Sequence, residues 1–438
     1  MKKRSRLRWL TLLAALMLVV AACGDDADPT TTQGTTAAPT TAAPGTTAAP
    51  GTTAAPDTTA APDTTAAPAG PIKIGMLVDQ TSTFTPWGVN VRDGMRLAVK
   101  ELNDAGGVDG RMLELIEQDS ENDSDTGVDR FDRLVEEGVV AVGGPISSGV
   151  GAPVAAVAEQ REVPLFLIKS GTDAALTADS RYTFRTCLPA APMVAGPVLQ
   201  YAQAQGITNV GVIVADYAWG QAVKSAVENT FAGSGIDIGE IQVAPVPPTT
   251  DFTPFVRAMA DAGAEMIVAT GHPPGGSAIV TLSADLAGNV PVSGSWNPPN
   301  AIVGNLQELA IGRYSDFGCA DYFSTEYQDL ARRYLAFSDN QFMSDDAVAA
   351  YAIVNIVAEA VGAVGDDPKA VAEYVHANSF ESPGHAYTLR WTEWGELAEA
   401  TPVFTIISEG PAPDGVNEAG DWWFELLVKA DPLEPYAP

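Results

Sequence analysis

The chain has 438 residues, of which 46% are hydrophobic, so it is long enough for two domains that each bury a core. Its formal net charge is −31 at pH 7. Because nucleic-acid-binding proteins need a positively charged surface, this charge excludes DNA and RNA as expected partners.

The N-terminal segment has the pattern of an export signal. Five basic residues among the first eight precede an apolar run from Leu10 to Ala22, which is shorter than a membrane span. The run ends in Val20-Ala21-Ala22-Cys23, which resembles the bacterial lipobox, whose cysteine takes lipid and becomes the first mature residue. A plain secretory signal with an incidental cysteine is the alternative. We expect removal of residues 1–22 and lipidation of Cys23.

Residues 23–70 form a predicted disordered linker after the lipidated cysteine. The unit Thr-Thr-Ala-Ala-Pro recurs six times between Thr35 and Pro68. Such a polar, proline-rich segment cannot bury a core and favours an extended chain. At about 3 Å per residue, it would hold a domain on the order of 100 Å from the membrane.

The globular sequence begins at Pro71 with a predicted strand over 72–78. A loop that contains Trp87, an amphipathic helix and a second strand over 112–117 follow. The acidic stretch 119–125 lacks the glycine of a calcium-binding EF-hand loop. It therefore predicts a solvated loop and a helix start rather than a metal site.

Two successive predicted strands in this half of the chain end in similar turns. The apolar runs Val139–Val142 and Leu165–Ile168 predict buried parallel strands, and each is followed by a small, hydroxyl-rich turn. The turns contain Ser147, Ser148, Ser170, Gly171 and Thr172. Ligands bind outside the carboxyl ends of such strands, where hydroxyls and free helix N–H groups favour a carboxylate. Ordinary helix caps are the alternative.

A second α/β unit begins after Cys187. Its predicted strands lie over 210–214, 238–243, 266–269 and 290–294, with helices over 193–205 and 251–261. Later helices are predicted near 325–336, 344–362 and 368–377, and later strands over 388–391 and 402–407. Strand ends of this unit carry Trp219-Gly220, the turn Gly271–Gly275, and Trp296.

Several stretches, in their order, resemble one family. They are IKIGMLVDQTSTFTPWG, GMRLAVKELNDAGGVDGRMLELIEQD, VVAVGGPISSG, VPLFLIKSGTDAALT, YTFRTC, VGVIVADYAWG and DFTPFVRAMADAGAEMIVATG. The family is the branched-chain amino-acid class of ABC-transporter substrate-binding proteins, with the type I periplasmic-binding-protein fold. The resemblance covers most of 71–400.

The resemblance implies an α/β fold of two doubly wound parallel-sheet lobes joined by a three-crossing hinge. Lobe 1 would comprise 71–187 and 320–399, and lobe 2 would comprise 188–319 and 400–438. It also implies a small-molecule ligand between the lobes and an ABC-type permease as partner. No cofactor or metal is implied, and we expect a monomer.

The resemblance further implies roles for individual residues. Ser147 and Ser148, with the turn Ser170-Gly171-Thr172, look like the family's grip on the α-carboxylate of the ligand. Trp87 and Trp219 look like the aromatic residues that precede glycine in the family, and they would form walls of the site. Packing within each lobe is the alternative for both tryptophans.

The turn Gly271-His272-Pro273-Pro274-Gly275 departs from the family pattern, in which an acid meets the ammonium of the ligand. No acid stands in this turn, and neither Asp79 nor Asp216 aligns with that position. Because a buried ammonium without a counter-charge is costly, an aromatic or other small carboxylate, or an amide, joins the amino acids as an expected ligand. Gly271, His272 and Trp296 complete the predicted site.

The resemblance places Cys187 and Cys319 at the first and second hinge crossings. Neighbouring crossings would bring the two Cα atoms to about 5–6 Å, within disulfide range. Export favours oxidation, so we predict a disulfide, with two buried thiols as the alternative.

Enzyme motifs are absent from the sequence. It contains no Gly-x-Ser-x-Gly elbow, no P-loop and no His-Glu-x-x-His, and His272 is the one histidine in a candidate site loop. We expect a non-enzymatic solute receptor, exported and tethered by lipid to the outer face of the cytoplasmic membrane. The alternatives are a sensory module, expected to carry a transmembrane helix and a signalling domain after the lobes, and a hydrolase, which would consume its ligand.

Overall fold

The computed structural model describes residues 70–246, 249–270, 275–294 and 298–438. The described residues form two β-sheets with helices packed against them. The predicted signal segment, Cys23 and almost all of the predicted linker lie outside the described residues, so their interpretation stays a prediction.

The first sheet comes from the N-terminal part of the globular sequence and is parallel throughout, in the order β2-β1-β3-β4-β5. Its strands are β1 (Ile72–Val78), β2 (Leu113–Asp119), β3 (Val142–Gly143), β4 (Leu165–Leu167) and β5 (Thr183–Arg185). The helices between them are α1 (Thr85–Asp104), α2 (Ser124–Glu136) and α3 (Ser148–Arg161). The predicted α/β pattern is confirmed, and all these strands point their carboxyl ends to one edge.

The second sheet has the order β12-β11-β10-β9-β8-β6-β7. Its strands are β6 (Asn209–Ala215), β7 (Asp237–Ala244), β8 (Met266–Ala269), β9 (Val292–Ser293), β10 (Tyr314–Gly318), β11 (Val403–Glu409) and β12 (Trp422–Lys429). The helices of this region are α4 (Ala191–Ala204), α5 (Ala218–Phe231), α6 (Thr253–Asp261), α7 (Gly275–Leu286) and α8 (Pro299–Leu306). Strand β11 runs antiparallel to both of its neighbours, and the other pairs are parallel.

Three later helices, α9 (Thr325–Phe337), α10 (Asp345–Val364) and α11 (Pro368–Ala377), follow β10. Helix α10 packs on α1 of the first sheet: Tyr351 Oη donates to Glu101 Oε2 at 2.7 Å. A Cβ on Gly94 would lie 2.5 Å from the Ala347 oxygen, so glycine is needed for this close helix contact. Helix α10 is long and apolar enough to span a membrane, but most of it is buried inside the protein, as in a core helix.

The sheets divide the chain into two regions, which we call lobe 1 and lobe 2. The strands of lobe 1 lie within 72–185, and those of lobe 2 lie within 209–318 and 403–429. The predicted boundaries at 187, 319 and 399 fall between these sets and remain a prediction. At two of the boundaries the structure joins Cys187 and Cys319 in a disulfide, with 5.1 Å between their Cα atoms.

Two strand predictions need correction, and three strands were not predicted. The strand predicted over 388–391 is wrong: Leu389 and Trp391 form isolated bridges within short hairpins rather than joining either sheet. The strand predicted over 139–142 begins only at Val142 and ends at Gly143, where Gly144, with a φ of 127°, turns the chain away. Strands β5, β10 and β12 were not predicted.

The acidic stretch 119–125 does begin a helix. Asp123 caps α2 by accepting a hydrogen bond from the Thr126 amide at 2.8 Å, and Asp119 accepts one from the Gln80 amide at 2.9 Å. The predicted helix start is therefore confirmed.

Candidate functional site

The two predicted turns of lobe 1 lie side by side. Ser147 precedes α3 in an extended conformation and Ser148 is the first helical residue, and both are buried. Ser148 Oγ accepts a hydrogen bond from the Thr172 amide at 3.2 Å. This bond connects the turn after β3 to the turn after β4, so the hydroxyls of the two turns form one polar surface at the edge of the sheet.

The turn 170–172 packs closely on α3. A Cβ on Gly151 would lie 2.2 Å from Ser170 Oγ, so only glycine at this position admits the serine. Ser170 is fully buried, and within the part of the chain that the structure describes its Oγ has no hydrogen-bond partner. A buried hydroxyl without a hydrogen-bond partner is unfavourable. The Ser170 hydroxyl is therefore a candidate group for a hydrogen bond to a ligand at this surface.

Trp219 reaches this surface from lobe 2. It lies in the first turn of α5 and is buried, and a Cβ on Gly171 would lie 2.4 Å from its Cζ3 atom. The indole ring therefore rests on the backbone of Gly171, and the absence of a side chain at that position allows the contact. The structure brings Trp219 to the two turns of lobe 1.

Trp87 occupies the corresponding position in lobe 1, at the start of α1. Its ring lies 5.1 Å from that of Phe84, measured between centroids, and Phe84 lies 6.5 Å from Tyr217 of lobe 2. Trp87 is thus part of an aromatic cluster that spans the two lobes. These rings provide apolar surface near the hydroxyl-rich turns.

The structure distinguishes the two aspartates considered as counter-charges. Asp216 is exposed and accepts a hydrogen bond from Gln221 Nε2 at 2.8 Å, so it does not provide a buried charge. Asp79 follows β1, is buried, and accepts a hydrogen bond from Ser120 Oγ at 2.5 Å. Burial raises the pKa of Asp79 to about 6, against the lowering effect of Ser120.

A buried charge cluster lies beside the disulfide. Lys169 Nζ lies 2.6 Å from Asp345 Oδ2 and 3.9 Å from Asp346 Oδ1. Loss of solvation raises the pKa of Asp316 to about 8, and Lys169 opposes this effect. Cys187, Cys319 and Asp345 are close enough to suggest a metal site, but the sulfur atoms are bonded to each other and are not thiolates.

Sequence reasoning missed the residue that holds the second turn from behind. The Arg185 guanidinium donates to the carbonyl oxygens of Ser170 and Thr172, and its charge is matched by Glu396 at 2.9 Å. Arg185 stands within the YTFRTC stretch, but no local pattern signals its role. Its acceptors are backbone atoms and its partner carboxylate lies 211 residues away.

Three predicted site residues, Gly271, His272 and Trp296, lie outside the described residues. Of the other histidines, His385 is half-buried, and loss of solvation lowers its pKa to about 4. Its two ring nitrogens lie 3.0 and 3.1 Å from the carbonyl oxygens of Tyr387 and Thr186. The His385 ring is therefore engaged with the backbone.

The fold and the turns agree with a known family. The sequence profile of the periplasmic binding protein family matches residues 71–411, and the chain belongs to this family. It is 27% identical over 339 residues to the leucine-, isoleucine-, valine-, threonine- and alanine-binding protein of Pseudomonas aeruginosa. That alignment covers 75% of this chain and 88% of the relative.

Solved structures show the same fold. A solute-binding protein of an ABC transporter from R. palustris, in complex with benzoate, superposes with a TM-score of 0.71 at 18% identity, covering 84% of this chain and 98% of that chain. An ABC-transporter substrate-binding protein from Desulfitobacterium hafniense, in complex with Leu, superposes with a TM-score of 0.64 at 20% identity, covering 81% and 99%. The predicted fold class, a type I periplasmic binding protein, is confirmed.

Proposed function

We propose that the protein is the extracytoplasmic solute receptor of an ABC importer and that it binds a small, partly apolar organic carboxylate between its lobes. One observation carries the proposal. The turns after β3 and β4 are joined by the Thr172–Ser148 hydrogen bond and are covered by Trp219 from the other lobe. A polar surface on one lobe and an aromatic ring on the other are what a two-lobe receptor needs to hold such a solute.

The chemistry of the lobe 1 surface favours an anionic group. Helix α3 has 14 residues and begins at the site, so its first N–H groups and its dipole favour a negative charge there. Ser148 and Thr172 add hydroxyl donors, and the carbonyl oxygens of the second turn are engaged by Arg185 and Ala191 behind it. Donors therefore dominate the surface on which a carboxylate would rest.

The aromatic cluster indicates that part of the ligand is apolar. Trp219 covers the turns, and the Phe84 and Tyr217 rings extend apolar surface across the lobes. An aromatic carboxylate fits this combination. An α-amino acid is the second candidate, because Asp79 is a buried acid at the edge of lobe 1 that would accompany an ammonium group.

The mechanism is hinge closure. Lobe 1 would hold the polar end of the solute, and lobe 2 would bring Trp219 over its apolar part, as in the domain closures of other periplasmic binding proteins. Cys23 would anchor the receptor by lipid, the linker would give it reach, and the closed form would pass solute to a permease. The receptor itself would act as a monomer.

A thermal-shift screen over benzoate, 4-hydroxybenzoate, leucine and their amides tests the ligand class. A ligand that binds the folded state raises Tm by mass action. We expect the largest shift from a carboxylate and a smaller shift from the matching amide. Equal shifts, or recovery of a chemically altered ligand, would contradict the proposal.

A double variant, Ser148→Ala with Thr172→Val, tests the site. Charge-assisted hydrogen bonds contribute about 1.5–3 kcal/mol each, so calorimetric affinity should fall by at least a hundredfold. Thr177→Val with Ser180→Ala is the matched control, because it removes a similar bond in lobe 1, from the Thr177 amide to Ser180 Oγ at 3.0 Å. Wild-type affinity in the first variant would refute the assignment of this surface.

A further inference from the structure

The backbone of the turn 170–172 is held by donors on one side. Arg185 lies at the end of β5, and its two terminal nitrogens donate to the Ser170 oxygen and, at 2.5 Å, to the Thr172 oxygen. The Ala191 amide donates to the Gly171 oxygen at 2.9 Å. All three carbonyl groups of the turn are therefore committed to β5 and to the segment that follows it.

Arg185 is suited to this task by shape as well as by charge. A guanidinium has a planar fork of donors that spans two acceptors, whereas the ammonium group of lysine is a point charge. Arg185 is fully buried, so its side chain has little freedom to leave the turn. The backbone of the turn is thus fixed by a group that does not itself belong to the surface of Ser148 and Thr172.

Glu396 balances the buried positive charge of Arg185. Its carboxylate accepts from Arg185 Nε at 2.9 Å and from the Leu397 amide at 3.0 Å, and it is 1% exposed. A buried guanidinium without a partner would be strongly unfavourable. The pair therefore acts as one unit.

The hairpin that carries Glu396 is fixed directly on β5. The Arg185 amide donates to the Gly395 oxygen at 3.0 Å, and Trp391 Nε1 donates to the Arg185 oxygen at 2.5 Å. Gly395 has a φ of 83°, and a Cβ there would lie 1.7 Å from the Thr183 oxygen. Distant parts of the sequence thus meet behind the candidate ligand surface.

We infer that Arg185 and Glu396 are positioning residues of the ligand site. Arg185 holds the carbonyl groups of Ser170 and Thr172 away from the ligand, and Glu396 balances its charge, so that the site presents donors to an anion. Without them a carbonyl of the turn is free to rotate towards the ligand, where it repels a carboxylate but accepts from an amide. The pair therefore sets a preference for carboxylate over amide without touching the ligand.

Two variants test the inference. Arg185→Lys keeps the charge next to Glu396 but loses the fork, and the double variant Arg185→Met with Glu396→Gln removes both charges together. Arg96→Met with Glu117→Gln is the matched control, because Arg96 and Glu117 form a two-contact pair in the same lobe, at 2.6 and 2.7 Å, on its exposed surface.

The first measurement needs no ligand. Hydrogen–deuterium exchange of the peptide that covers residues 169–176 is compared among wild type, both variants and the control. We expect exchange of the Thr172 amide to be at least tenfold faster in both variants and unchanged in the control. Wild-type exchange in Arg185→Lys would overturn the inference, and this variant decides the question if the double variant fails to fold.

The second measurement rests on the proposed function and uses benzoate and benzamide as probes in calorimetry. We expect the ratio of benzoate to benzamide affinity to fall at least tenfold in Arg185→Lys and to stay at the wild-type value in the control. An unchanged ratio overturns the positioning role. If wild type binds neither probe, the proposed ligand class fails, and the exchange measurement still decides whether the pair holds the turn.

Discussion

The two lobes use the same short pattern at their first strand–helix junction, with different results. In lobe 1, β1 is followed by Asp79 and then by Trp87-Gly88. In lobe 2, β6 is followed by Asp216 and then by Trp219-Gly220. A Cβ on Gly88 would lie 1.8 Å from the Asp79 oxygen, and one on Gly220 would lie 1.9 Å from the Ala215 oxygen. In both lobes the glycine lets the helix start directly against the end of the strand.

The difference lies in the loop between the aspartate and the tryptophan. In lobe 1 this loop is long enough to fold over Asp79 and bury it next to Ser120. In lobe 2 this loop is only two residues long, and Asp216 is exposed. Trp219 lies against Gly171 of the opposite lobe. The shared pattern thus encodes a common helix start, and loop length decides which side chain faces the partner lobe.

The largest effect is expected from removing the disulfide that joins two of the boundaries between the lobes. The disulfide closes a loop with a sequence separation of 132 residues. Removing such a bond lowers the free energy of unfolding by about 2–5 kcal/mol, so Cys187→Ser with Cys319→Ser should show this loss in urea unfolding. Thiol titration of denatured, unreduced protein should find neither cysteine free. Two free thiols, or wild-type stability of the variant, would contradict a disulfide between Cys187 and Cys319.

The two glycines should be equally sensitive if the junctions are built alike. Gly88→Ala and Gly220→Ala each force a Cβ into a backbone oxygen, and we expect each to lower the free energy of unfolding by about 3 kcal/mol. Gly196→Ala is the control, because a Cβ there meets no atom within 4 Å. If only one of the two substitutions lowered the free energy of unfolding, the two junctions would not be built alike.

The two aspartates should differ in their effect on stability with pH. The pKa of Asp79 rises from its ordinary 3.8 to about 6 on burial, so its ionised form disfavours the folded state above pH 6 and this cost is relieved as pH falls towards 4. Between pH 7.5 and 4.5, wild type should gain about 2 kcal/mol of unfolding free energy relative to Asp79→Asn. Asp216→Asn is the exposed control and should change stability by less than about 0.5 kcal/mol at either pH. Parallel pH curves for wild type and Asp79→Asn would contradict the burial of this charge.

The sequence predicts much of the fold because its strands and turns are locally encoded. Apolar runs followed by small polar turns identify β1, β4, β6 and β8, and Ser148 and Thr172 could be chosen as site candidates for the same reason. By contrast, Arg185 and Glu396 are 211 residues apart and come into contact only in the folded protein. No periodicity or motif in the sequence indicates that they form a pair. The same limit explains why β12 was missed, since its place at the sheet edge depends on pairing with β11.

The closeness of Gly171 to Trp219 gives the most direct test of binding between the lobes. Gly171→Ala would place its Cβ 2.4 Å from Trp219 Cζ3, whereas Gly149→Ala, beside Ser148, would meet only Ser147 Oγ at 3.5 Å. Calorimetric titration uses the carboxylate that gives the largest thermal shift in the screen. We predict that Gly171→Ala binds at least about tenfold more weakly than wild type, equivalent to about 1.4 kcal/mol, and that Gly149→Ala binds within about twofold. Wild-type affinity in Gly171→Ala would contradict a ligand site that closes through the contact between this turn and Trp219.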